Sequence, residues 1–142
     1  MKSRWNDAVT SQSLSPLKMR VYTSRLLGQD EDLVLHGGGN TSVKVKEKNI
    51  FGEEEDILYV KGSGWDLATI EEAGFAPVKM KALLQMAALP ELSDLEMVKQ
   101  QRIAMINPAA PNPSVEAILH AIIPYKFVDH THADAVVTIS NI

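Results

Sequence analysis

A chain of 142 residues, 45% of them apolar and 23% charged, has the size and balance of one globular domain and can bury roughly 70% of the surface it exposes when unfolded. Its net charge of -4 speaks against a nucleic-acid binder, since neutralising phosphates takes a basic surface. The absence of cysteine excludes a disulfide framework and thiolate metal ligation, and it fits a reducing compartment.

The amino terminus, Met1 to Ser15, is polar and has no apolar core, so it does not read as a signal peptide. The longest apolar stretches, Ala117 to Pro124 and Ala135 to Ile139, are too short to span a bilayer. These features predict a soluble, cytoplasmic protein with no membrane and no nucleic-acid partner.

Pro16 to Leu27 carries Leu17, Val21, Leu26 and Leu27 at near-helical spacing, and Gly28 stands where a helix would stop. Leu33-Val34-Leu35 is a short apolar run, read as a strand, that ends at three consecutive glycines. Thr41 to Val45 then alternates, with Val43 and Val45 on one face and Ser42 and Lys44 on the other, the pattern of a half-buried strand. An acidic turn, Gly52 to Asp56, leads into the strand formers Ile57 to Val60.

Helices follow. Lys79 to Leu89 has apolar residues at 80, 83, 84, 87 and 88, a single stripe. Ser93 with Glu96 three residues on reads as a capping box for a helix reaching about Met105. After a loop with prolines at 108, 111 and 113, Ser114 is placed to cap a helix from Val115 to Ile123. Lys126 to Thr131 reads as a strand and Ala133 to Ser140 as a helix. Strands and helices interleave, which predicts a layered α/β or α+β fold.

Four features bear on chemistry. His130 and His132 are two apart, so on a strand both imidazoles point to one face. They are either a satisfied polar pair at a strand end or the start of a zinc site. Glu116 falls in the first turn of the helix capped by Ser114, either as a dipole-favoured carboxylate or as a general base beside a Lewis acid. His120, four residues later, is on the same helix face and either orients that carboxylate or belongs to the core. The two glycine turns, His36 to Ser42 and Lys61 to Gly64, offer backbone N–H groups to an anion. Neither turn matches a Walker loop or a dinucleotide fingerprint.

Taken in order, Leu35 to Lys44, Tyr59 to Ala68, Ala73 to Val78, Ser93 to Gln101 and Pro111 to Asn141 resemble the class II aldolase/adducin family. The closest likeness is to the aldolase part of the bifunctional rhamnulose-phosphate aldolase/dehydrogenase proteins. That resemblance implies a three-layer α/β/α fold with a mixed, largely antiparallel central sheet. Residues 1–142 would form the amino-terminal portion of one such domain, carboxy-terminally incomplete.

The resemblance also implies roles for individual residues. Gly39, Asn40, Ser63, Gly64 and Ser114 match the substrate- and phosphate-binding positions. Glu116 matches the catalytic glutamate that takes and returns a proton at the reacting carbon. His130 and His132 match two of three zinc ligands, the third coming in relatives from beyond the point where this chain ends. A second pocket serine is Val115 here. The implied activity is zinc- or other divalent-metal-dependent retro-aldol cleavage of a ketose 1-phosphate, of the rhamnulose 1-phosphate kind, by a homo-oligomer. Family alternatives are a pentulose-phosphate epimerase or dehydratase and a non-catalytic, adducin-like assembly module.

Overall fold

The structure, a computed structural model, describes residues 5–10, 14–34 and 38–131. After one turn of helix, α1 (Asp7–Thr10), Ser15 caps α2 (Pro16–Gly28) by accepting the Lys18 N–H, with Pro16 at the first turn where its missing N–H costs nothing. Strands β1 (Asn40–Lys48) and β2 (Glu54–Lys61) form an antiparallel hairpin in register from Ser42↔Val60 to Lys48↔Glu54. Asn49 organises its turn, its Oδ1 accepting the Phe51 and Glu53 N–H groups.

Strand β3 (Phe75–Lys79) lies beside β2, and β4 (Phe127–His130) beside β1. The sheet order is β3-β2-β1-β4. All three described pairings are antiparallel. The outer edge of β3 is covered, because the Ile106 N–H reaches the Pro77 carbonyl and the Lys79 N–H reaches the Ala104 carbonyl.

Helices α3 (Met80–Ala87), α4 (Asp94–Ile103) and α5 (Ala117–Ile122) follow in chain order. Leu58, Val60, Val78, Leu83 and Ala117 form one core on the α3/α5 side of the sheet. On the opposite face Val21, Leu67, Ile70 and Phe75 form a second core under α2. The result is three layers with the sheet in the middle. Each fully buried Leu or Val contributes about 1.5–3 kcal/mol of burial, so the two cores together hold both faces of the sheet.

The sandwiching explains where β1 departs from simple alternation. Thr41, Ser42 and Val43 are all buried. Thr41 Oγ1 bonds Ser24 Oγ on α2 at 2.7 Å, while Ser42 Oγ bonds His120 Nδ1 on α5 at 2.7 Å. A strand covered on both faces loses the polar-out signature.

Other local differences have similar causes. Leu33 lies in a turn and Val34 outside any strand, so no described residue of that run is a strand. On α3 the buried residues are Met80, Leu83 and Met86, whereas Leu84 is half-exposed. Ser93 caps α4 by accepting the Glu96 N–H, and the Glu96 carboxylate turns to Gln100. Helix α5 starts later than expected, so Glu116 occupies its N-cap position and not its first turn. The helix expected over Ala133 to Ser140, together with His36 and His132, lies outside the described residues.

Candidate active site

Gly39 sets the entrance to β1. Its φ is +78°, and an added Cβ would come within 3.1–3.3 Å of Leu67, Val34 and the His130 carbonyl. Only glycine takes that conformation in that space without strain. The next residue, Asn40, stands directly opposite His130 across β1 and β4.

Both side chains converge on Glu116. Asn40 Nδ2 donates to Glu116 Oε2 at 3.0 Å, and His130 Nδ1 meets the same oxygen at 2.5 Å. Burial alone would push the Glu116 carboxyl up, but the bonds from His130 and Asn40 outweigh it and the net shift is downward. The group is therefore a carboxylate at neutral pH. One of its oxygens is committed, and Oε1 is left for chemistry.

Glu116 is held by local structure as well as by these partners. Its N–H donates to Ser114 Oγ at 3.2 Å, and its carbonyl accepts the His120 N–H as α5 begins. His120 does not orient the carboxylate. It is fully buried and bonded to Ser42, and burial drops it to about 4, so it is a neutral core residue.

The second glycine turn is tied to the proline loop. Ser63 N–H donates to the Asn112 carbonyl and Ser114 N–H to the Lys61 carbonyl, flanking an antiparallel bridge between Gly62 and Pro113. Gly62 allows this approach, because a Cβ there would sit 2.3 Å from Pro111 Cγ. Ser63 and Ser114 are thereby brought side by side with both N–H groups already used. The Ser63 hydroxyl remains for a ligand, and the Ser114 hydroxyl, whose oxygen accepts the Glu116 N–H, can still donate to one.

Asn40, Ser63, Gly64 and Ser114 line one cavity of about 630 Å³. Gly39 is not among the residues that line it, but its carbonyl accepts from Lys61 Nζ at 3.2 Å. Asn40 is the hinge between the two groups of residues, bordering the cavity and holding Glu116.

Among the other residues that line the cavity are Lys61 and Gln101, whose side chains the sequence motifs gave no role. Lys61 ends β2 and is 7% exposed. Burial lowers it, against the pull of the Asp66 and Glu116 carboxylates. A lysine closing an apolar strand was the available signal. Gln101, on the inner face of α4, gave none.

Glu116 and His130, with side chains about a third exposed at 31% and 34%, supply one carboxylate oxygen and one imidazole nitrogen. That donor chemistry fits zinc or a similar divalent ion. Among the described residues no third His, Asp or Glu completes a cluster with them.

The family model described as the class II aldolase and adducin N-terminal domain matches residues 19–142. This chain belongs to that family. It is 45% identical, with a TM-score of 0.91, to the N-terminal class II aldolase domain of a conserved protein from Thermoplasma acidophilum, covering 100% of this chain and 65% of that one. It is also 40% identical over 139 residues to a Bacillus subtilis (strain 168) protein named uncharacterized oxidoreductase YuxG, covering 98% of this chain and 20% of that protein. The chain thus spans about a fifth of the curated relative that it matches. No helix among the described residues of this family member is long and apolar enough to cross a membrane.

Proposed function

We propose that this class II aldolase domain contributes the metal- and phosphate-binding side of a lyase site. The reaction is retro-aldol cleavage of a ketose 1-phosphate, of the rhamnulose 1-phosphate kind, to dihydroxyacetone phosphate and a small aldehyde. The observation that carries this reading is the double role of Asn40, which borders the cavity of Ser63, Gly64 and Ser114 while its amide holds Glu116.

In this reading the phosphate lies against the Ser63 and Ser114 hydroxyls and Gly64, near the Lys61 ammonium. The metal would be held by His130 and His132, the two ligands that the family resemblance implies, and when bound it would supply Lewis acidity at the ketose carbonyl. Glu116 manages the proton at the carbon where the bond breaks. In the addition direction Oε1 takes that proton from the three-carbon ketose phosphate. In the cleavage direction Oε1 takes up the proton that the substrate hydroxyl sheds as the carbon–carbon bond breaks and delivers it to the enediolate carbon as the aldehyde departs, so Glu116 ends as the carboxylate it began. Asn40 keeps the carboxylate aimed and ionised between turnovers.

The lysine and hydroxyl lining favours a phosphorylated sugar over a neutral one. The Bacillus subtilis relative is named an oxidoreductase, but the matched segment here carries no dinucleotide fingerprint, so the cleavage reading is preferred for these residues. A cytoplasmic homo-oligomer remains our reading of its setting.

The test is release of dihydroxyacetone phosphate from rhamnulose 1-phosphate by zinc-loaded protein, followed with a coupled reductase. Glu116→Gln should lower the rate by about 10²–10⁴-fold, and His130→Ala should lower zinc uptake. A Glu116→Gln protein that cleaves at the parent rate would end the assignment. Epimer or dehydrated product in place of two fragments would move the site to the alternative chemistry.

A further inference from the structure

Helix α4 presents Val98, Gln101 and Arg102 to the cavity wall. Arg102 is fastened to the proline loop through Asn112 Oδ1. Gln101 is different. It is 2% exposed, and its Nε2 is buried with no hydrogen-bond partner.

An orphaned buried amide destabilises the fold relative to a satisfied one, because nothing offsets the loss of its hydration. Core positions on a helix are ordinarily filled by apolar residues of similar volume, which carry no such cost. Gln101 belongs to a wall that also holds Lys61, Ser63 and Ser114. A donor kept unsatisfied at the lining of a polar cavity is what a ligand oxygen would complete.

We propose that Gln101 is a ligand-binding residue of this cavity, donating its side-chain N–H to an oxygen of the anionic group that the cavity takes. This rests on the reading of the cavity as a sugar-phosphate site and adds to it a contact from α4. Because Nε2 is sealed from water, reaching the ligand requires a small rotation of the side chain into the cavity as the ligand enters. Stability is given up in the empty protein and recovered on binding.

The experiment uses inorganic phosphate as the probe on the full chain. In the parent protein the Gln101 side-chain NH₂ resonances should shift as phosphate is added, saturating together with the backbone amides of Ser63 and Gly64. Gln101→Leu removes the orphan while filling the same space. It should weaken phosphate binding by about 3–10-fold, the loss of one hydrogen bond, and raise Tm by roughly 2–4 °C. Gln101→Met serves as the second variant with the same expectation. A structural role would do the reverse, lowering Tm, and would overturn the proposal.

If phosphate moves Ser63 and Gly64 but leaves the Gln101 side chain and the variants' affinity unchanged, this assignment falls and the anion-site reading stands. If phosphate moves none of the three, both fall.

Discussion

Asn40 and His130 face each other across β1 and β4, and their side chains end on the same oxygen, Oε2 of Glu116. A strand register thus sets the protonation state of a residue on another element. Slipping β4 by one residue would carry His130 to the opposite face of the sheet and leave the carboxylate with a single donor.

That arrangement predicts the behaviour of Asn40→Ala. A donor to the charged form is lost, so the Glu116 carboxyl should titrate at higher pH than in the parent protein. The sign follows because the bond favours the carboxylate and its removal favours the acid. Carboxyl carbon shifts followed against pH by NMR would measure it. An unmoved or lower titration would mean that Asn40 only borders the cavity and does not tune Glu116.

His120 predicts a pH dependence of stability. Its folded value of about 4 lies below the ordinary 6.5. As pH falls below about 6.5 the unfolded chain takes up a proton that the folded chain refuses until about 4. Stability from this group is therefore present above that window and is lost on acidification through it, by on the order of 3 kcal/mol in total. His120→Gln, which keeps a partner for Ser42, should flatten the slope between pH 6.5 and 4. Urea unfolding at a series of pH values would show whether the two slopes differ; parallel slopes would contradict the assignment.

Much of this fold was legible because local rules and tertiary structure agree. The apolar spacing from Leu17 to Leu27 and the Ser93/Glu96 pair announced two helices, and the 57–60 and 126–131 runs announced strands, whereas the helix expected from Val115 begins only at Ala117. Strand β3 was not legible. Phe75 to Val78 are buried on both faces, so no alternation survives, and Pro77 argued against a strand. It is tolerated because β3 is an edge strand among the described pairings. The site divided in the same way. Asn40, Ser63, Ser114, Glu116 and His130 stood out through their motifs. Gln101 did not, because a glutamine in a helix reads as solvent-facing until α4 is packed against α3.

Gly62→Ala tests how closely the second glycine turn and the proline loop must approach. The new methyl would overlap Pro111 Cγ, and the bond from Ser63 N–H to Asn112 and that from Ser114 N–H to Lys61 both depend on that approach. Overpacking of this kind costs about 1–3 kcal/mol. Phosphate affinity should fall together with Tm, since Ser63 and Ser114 are pushed apart. Calorimetry on the same sample gives both numbers. A stable variant with parent affinity would show that the loop yields freely.

The last prediction concerns Arg20 and Asp129, which anchor the strand carrying His130. Arg20 is 2% exposed, and its Nη1 lies 2.6 Å from Asp129 Oδ1, with the Ser42 and Val128 carbonyls as further acceptors at 3.3 and 3.5 Å. Burial lowers the guanidinium and Asp129 opposes that shift. The pair is asymmetric, because Asp129 is half-exposed and can turn to water while Arg20 cannot. Asp129→Ala should therefore cost about 2–4 kcal/mol, below the loss for a fully buried pair because solvent already screens one partner. Asp129→Asn, which retains an acceptor at the same place, should cost less than half as much. The damage should be greatest on β4, so backbone amide exchange at Val128 and His130 should accelerate more than exchange in β2. If Asp129→Ala unfolds within about 0.5 kcal/mol of the parent, the two carbonyls and the Phe127 ring, 5.5 Å from the guanidinium, are sufficient for Arg20, and the ion pair is not what holds His130 against Glu116.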